Sequence, residues 1–133
     1  MDQGRIRVLS VDDHALLREG IAAVITHQPD MVLVSQAAGG LEAIQQYREH
    51  RPDVTLMDLR MPDFSGIDAL LAIRSEFPDA RVIILTTFES DEDVRRAEEA
   101  GACGYVLKSL PPNQLVQVIR DVHAGKSTHP QRF

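Results

Sequence analysis

Short apolar runs alternate with amphipathic stretches five times along this chain, and no other feature constrains its fold as tightly. Ile6 to Val11, Met31 to Val34, Val54 to Met57, Val82 to Leu85 and Tyr105 to Leu107 are too short for helices and too apolar for loops. They read as strands, and the unbroken Val82-Ile83-Ile84-Leu85 reads as one buried on both faces, as parallel strands are. Apolar residues at helical spacing follow each run. The stripes are Leu16, Leu17, Ile21, Val24 and Ile25 within about Ala15 to Thr26; Leu41, Ile44 and Tyr47; Ile67, Leu70, Leu71 and Phe77; Val94, Ala97 and Ala100; and Leu115, Val118, Ile119 and Val122. Pro29-Asp30, Gly39-Gly40, Pro52, Pro78-Asp79 and Pro111-Pro112 punctuate them. Ser90, with Asp93 three residues on, predicts a helix start near Asp91. Five β-α units joined by right-handed crossovers predict an α/β fold, a five-stranded parallel sheet with helices on both faces.

At 133 residues, 44% of them hydrophobic, the chain is expected to form one domain with a core that needs no staples. Its 20 acidic and 14 basic residues leave a net charge of -6, which argues against nucleic acid or an anionic membrane as a direct partner. A single cysteine, Cys103, fits a reducing compartment. No apolar run approaches the ~20 residues that cross a bilayer, and Met1 to Arg7 lacks a signal peptide's apolar core. A cytoplasmic location follows as the expectation.

Chemistry gathers at the strand ends. The run Thr55-Leu56-Met57 stops at Asp58, and Leu59-Arg60-Met61-Pro62 follows. A lone Asp there would be a loop cap, and the dipole of the following helix would explain one of Asp12 and Asp13 better than both. In a parallel sheet, however, all carboxyl ends share one edge. That edge collects Asp12, Asp13, Asp58, Thr86, Thr87 and Lys108. Three carboxylates so close repel one another unless a cation joins them, and a hard ion such as Mg²⁺ suits oxygen ligands. With Lys108 and the threonine hydroxyls alongside, the group describes a seat for a phosphoryl group, with Asp58 as its acceptor.

Val11-Asp12-Asp13, Met57-Asp58-Leu59-Arg60-Met61-Pro62, Leu85-Thr86-Thr87 and Gly101-Ala102-Cys103-Gly104-Tyr105-Val106-Leu107-Lys108 together resemble the receiver domain of two-component response regulators. Asp12-Asp13-His14, Leu85-Thr86-Thr87-Phe88 and Val122-His123-Ala124-Gly125 are most similar to the NarL/FixJ (LuxR-type) subfamily. The resemblance implies a flavodoxin-like, doubly wound (βα)5 fold with strand order 2-1-3-4-5; the flavodoxin-like order is itself illustrated by a receiver in general accounts of the fold. It implies that Asp58 is phosphorylated by a sensor histidine kinase. Asp13 and Asp58 would hold Mg²⁺ directly, Asp12 mainly through water, and Arg60 through its backbone carbonyl. Lys108 and Thr86 would contact the phosphoryl oxygens, with Thr87 beside them, and Thr86 and Tyr105 would form the switch. The fourth helix, fifth strand and fifth helix would change shape, and homodimerisation would follow through that face or through the face of the first and fifth helices. Residues 1–124 would be the receiver, and 125–133 a tail or the start of a linker to a helix-turn-helix domain, through which alone DNA would be bound. Many receivers have a cis peptide after the lysine; Ser109 in place of proline disfavours one here.

Simpler readings compete for several residues. His14, His27, His50, His123 and His129 lack metal-ligand spacing and read as surface residues. Cys103 reads as a small buried residue and Tyr105, apart from the resemblance, as a core aromatic. Arg60's side chain would only screen the pocket, and Glu92, Asp93, Glu98 and Glu99 would form a solvated face. An Asp-nucleophile phosphatase would want a second Asp where Arg60 stands, and has no general acid here. A flavodoxin-like cofactor binder would want a Ser/Thr/Gly-rich loop where Asp12-Asp13-His14 stands. The expectation is therefore a phosphoacceptor with slow self-dephosphorylation rather than a turnover enzyme; a stand-alone receiver acting through protein contacts is the alternative.

Overall fold

The computed structural model describes residues 4–87 and 90–126. Phe88, His129 and most of the expected tail lie outside the described residues. The strands are β1 (Ile6–Val11), β2 (Met31–Ala37), β3 (Val54–Asp58), β4 (Val82–Thr86) and β5 (Gly104–Leu107). Between and after them come α1 (Ala15–Thr26), α2 (Gly40–His50), α3 (Gly66–Glu76), α4 (Asp91–Ala100) and α5 (Pro112–His123). All strand pairs are parallel, in the order β2-β1-β3-β4-β5. The flavodoxin-like doubly wound fold is the one expected.

Alternate strand residues feed two apolar layers, as the period of two requires. Leu9, Val11, Met57 and Ile84 pack under α2, α3 and α4, with Ala43, Ile44, Leu70, Ile73, Val94 and Ala97. Val8, Val54, Leu56 and Ile83 pack under α1 and α5, with Ile21, Ile25, Leu115 and Ile119. β3 and β4 are buried at every position, matching their nearly unbroken apolar sequence.

Three residues expected in helical stripes face outward instead: Leu16, Leu41 and Leu71. A helix turns about 100° per residue, so Leu16 and Leu17, or Leu70 and Leu71, cannot both point at the sheet. In α2 the buried positions are Gly40, Ala43, Ile44 and Tyr47. β2 runs three residues past Val34, to Ala37. Phe77 is the C-cap of α3 rather than part of its stripe, and its ring lies 4.2 Å beneath the Arg51 guanidinium. α4 begins as expected: the Ser90 hydroxyl accepts the Asp93 N–H at 3.1 Å. It buries only Val94, Ala97 and Ala100, the thin stripe read from its sequence. No peptide among the described residues is cis, Lys108–Ser109 included. Among the described residues no helix is long and apolar enough to cross a membrane.

Candidate functional site

Backbone hydrogen bonds extend the sheet ladder just far enough to place the site. Asp12 N–H donates to the Ala37 carbonyl at 3.0 Å, Leu59 N–H to Leu85 at 2.9 Å and Lys108 N–H to Thr86 at 2.7 Å. Asp12 is thus the first residue past β1, and Lys108 the first past β5. Asp58 is the last residue of β3, in register with Leu85. Strands lie about 4.8 Å apart, so β5 sits roughly 10 Å from β3 along the hydrogen-bonding direction. Only a long side chain crosses that gap. The Lys108 ammonium does so, lying 2.9 Å from Asp12 Oδ2 and 3.1 Å from Asp58 Oδ1.

Asp12 and Asp58 are buried, Asp13 is partly exposed and His14 lies open to solvent beside them. One donor atom from each of these four lies within 4.8 Å of the others. Burial pushes the Asp58 carboxyl above its ordinary range; Asp12 adds to the shift, and Lys108 opposes it without reversing it. Burial also works against the charge on Lys108, but its hydrogen bonds to Asp12 and Asp58 prevail and hold its pKa above the ordinary value. Burial thus dominates at Asp58, and the two carboxylate partners dominate at Lys108. Counting Asp13, three carboxylates face one ammonium, leaving formally two negative charges uncompensated.

Asp58 Oδ2 is buried with no hydrogen-bond partner among the described residues. A buried polar atom without a partner costs about 1–3 kcal/mol, more when charged. That orphaned oxygen, the all-oxygen donor set of Asp12, Asp13 and Asp58, and the residual charge fit a hard divalent cation. The Arg60 N–H lies 3.4 Å from Asp58 Oδ1, so this loop hugs the carboxylate.

Of the other expected residues, Thr86 ends β4 and is buried, whereas Thr87 is exposed just beyond it. Tyr105 pairs with Ile84 in the ladder and is buried in the layer beneath α4. Arg60's side chain does more than screen: its Nη2 meets Asp93 Oδ2 at 3.1 Å. Asp93 accordingly leaves the solvated face assigned to it, its side chain being only 14% exposed.

Two neighbours escaped the sequence reading. Asp63 accepts from the N–H groups of Gly40 and Leu41, both at 2.9 Å, and so caps α2 from the loop after β3. Gly66 is the other: a Cβ there would stand 2.2 Å from the Asp58 carbonyl oxygen. A turn-rich Asp63-Phe64-Ser65-Gly66 was the available signal for both.

A doubly wound parallel sheet with buried aspartates and a lysine converging at its carboxyl edge defines a receiver-type architecture. Residues 8–120 match the response regulator receiver domain family, and the chain belongs to it. It is 41% identical over 123 residues to the oxygen regulatory protein NreC of Staphylococcus epidermidis, covering 92% of this chain and 56% of the relative. The chain thus spans about half the length of the curated relatives it matches. A LuxR-family two-component response regulator from an Aurantimonas species superposes with a TM-score of 0.89 at 41% identity, covering 92% of this chain and 88% of that one. The signal receiver domain of a NarL response regulator from Mycobacterium tuberculosis gives 0.88 at 31%, covering 92% and 98%. These relatives place the chain in the NarL/FixJ group.

Proposed function

We propose that Asp58 accepts a phosphoryl group from the phosphohistidine of a sensor histidine kinase, and that the modified domain regulates transcription through a partner surface and an output domain. The observation that carries this reading is Asp58 Oδ2, a buried carboxylate oxygen with no hydrogen-bond partner among the described residues, on a carboxyl group whose other oxygen meets Lys108. In the transfer Oδ2 bonds to phosphorus, the N–P bond of the donor breaks, and the imidazole leaves with a proton. Lys108 orients Asp58 beforehand and neutralises phosphoryl charge afterwards. Asp12, Asp13 and Asp58, with the Arg60 carbonyl, are the residues that would hold Mg²⁺, which supplies further charge neutralisation at the transferring group. Thr86, one residue beyond Asp58's ladder partner, donates its hydroxyl to a phosphoryl oxygen, and Thr87 borders the same opening.

The phosphoryl group adds roughly two negative charges and three acceptor oxygens. Movement of Thr86 toward it changes the packing around Tyr105, which already lies buried beneath α4, and the thin apolar stripe of α4 makes it the helix least costly to move. The α4-β5-α5 face then changes shape and controls homodimerisation; DNA is bound through a helix-turn-helix domain following residues 1–124, with 125–133 as linker. Water releases the phosphoryl group slowly rather than in rapid turnover, and a soluble cytoplasmic setting suits such a kinase partner. Incubation with acetyl phosphate and Mg²⁺, read by intact mass, should add one phosphoryl group to the wild type and none to Asp58→Asn or to wild type in excess EDTA. Labelling of Asp58→Asn would refute the assignment.

A further inference from the structure

His14 has no part in the phosphoacceptor scheme, yet its ring stands closer to the acidic cluster than a surface residue needs to. Its Nδ1 lies 3.1 Å from Asp12 Oδ1 and 3.1 Å from Asp13 Oδ1. Its own N–H donates to Asp12 Oδ1 at 2.8 Å, which pins the residue's backbone against the buried carboxylate. We propose that His14 joins Asp12, Asp13 and Asp58 in a mixed nitrogen–oxygen site that binds first-row transition ions such as Co²⁺ and Ni²⁺ in a mode Mg²⁺ does not use. This rests on the reading above that the cluster holds a divalent cation.

Three observations carry it. The spacing is right: ligands at about 2.1 Å from a metal, roughly 90° to 110° apart, are separated by about 3.0–3.4 Å. The two 3.1 Å nitrogen–oxygen edges already have that length. Second, the set is not merely a group of exposed acids, because it includes the buried Asp58, whose carboxylate has an oxygen without a hydrogen-bond partner among the described residues. Third, the ring's side chain is 68% exposed, so the imidazole can exchange a carboxylate partner for an ion without disturbing the core. The donor chemistry then decides selectivity. Imidazole nitrogen favours the later first-row ions, whose affinities rise along the series to Cu²⁺, whereas Mg²⁺ keeps oxygen ligands and its waters. His14 therefore adds affinity for Co²⁺ and Ni²⁺ and little for Mg²⁺.

Calorimetric titration of the 133-residue chain with Mg²⁺, Co²⁺ and Ni²⁺ separately, beside His14→Gln and Asp13→Ala, tests this, with the visible absorption of bound Co²⁺ reporting nitrogen ligation. His27, His50, His123 and His129 remain in every protein, so incidental histidine binding cancels. His14→Gln should lose about tenfold or more in Co²⁺ and Ni²⁺ affinity and shift the Co²⁺ bands, with Mg²⁺ affinity within about twofold. Asp13→Ala should weaken all three ions. Equal Co²⁺ and Ni²⁺ affinities in wild type and His14→Gln, with Mg²⁺ still bound, would overturn the role of His14 alone. Failure of the wild type to bind any of the three ions would overturn the cation site as well.

Discussion

Asp63→Ala should destabilise the domain at neutral pH in a manner that acid erases. α2 opens on Gly40, and its N-cap, Gly39, has no side chain to offer the helix's free N–H groups. Asp63 supplies the acceptors from 23 residues downstream, one oxygen to Gly40 and the other to Leu41. Space has been left for it: a Cβ on Gly39 would lie 3.1 Å from both carboxylate oxygens, and one on Gly40 would lie 2.8 Å from the Phe64 ring. Loss of an N-cap acceptor costs about 0.5–2 kcal/mol. Two charge-assisted bonds place Asp63 in the upper half of that range, and solvent exposure pulls it back to about 1 kcal/mol. For a domain of this size that is a fall in Tm of roughly 3–5 °C. The backbone N–H groups of Leu41 and Gly40 hold the Asp63 carboxyl below its ordinary range, against a small opposing effect of burial. A carboxylate with a depressed folded pKa contributes stability that is present above its unfolded value, about 4, and is lost as pH falls through the folded value. Urea unfolding followed by circular dichroism at pH 7 and near pH 3 should therefore show a gap between wild type and Asp63→Ala that narrows in acid, with Asp63→Asn between them at pH 7. A gap of the same size at both pH values, or none at pH 7, would show that the carboxylate does not cap this helix.

Other substitutions probe the site itself. Gly66→Ala drives a methyl group into the Asp58 carbonyl oxygen and should lower both stability and acetyl phosphate labelling; full labelling at unchanged Tm would show that the loop yields freely. Thr86→Ala should leave Asp58 labelled while blunting any beryllofluoride-induced dimerisation; sedimentation velocity with and without the mimic checks it, and an undiminished response would remove Thr86 from the switch.

How far the sequence could be read depended on the range over which each contact acts. Asp12, Asp13, Asp58 and Lys108 were recoverable because parallel topology sends every strand's carboxyl end to the same edge, so finding the strands suffices to gather the residues. α4's thin stripe was equally plain, since Val94, Ala97 and Ala100 are its only small or apolar residues. The Asp63 cap was not, because nothing periodic links residue 63 to residue 40. The clue was an omission: a helix opening on Gly39-Gly40 without a Ser, Thr, Asp or Asn cap has donors that something distant must satisfy. Asp93 misled for a related reason. In a first helical turn an acidic residue is locally favourable whether it faces water or an arginine, so only the fold reveals Arg60 opposite. Strand order is the deepest case. Right-handed crossovers determine on which face each helix lies, yet several orders satisfy them, and 2-1-3-4-5 was available only through family resemblance. The contact between Lys108 and Asp12 depends wholly on that order. With β5 next to β2, the same lysine and the same aspartates would end their strands on the same edge and never meet.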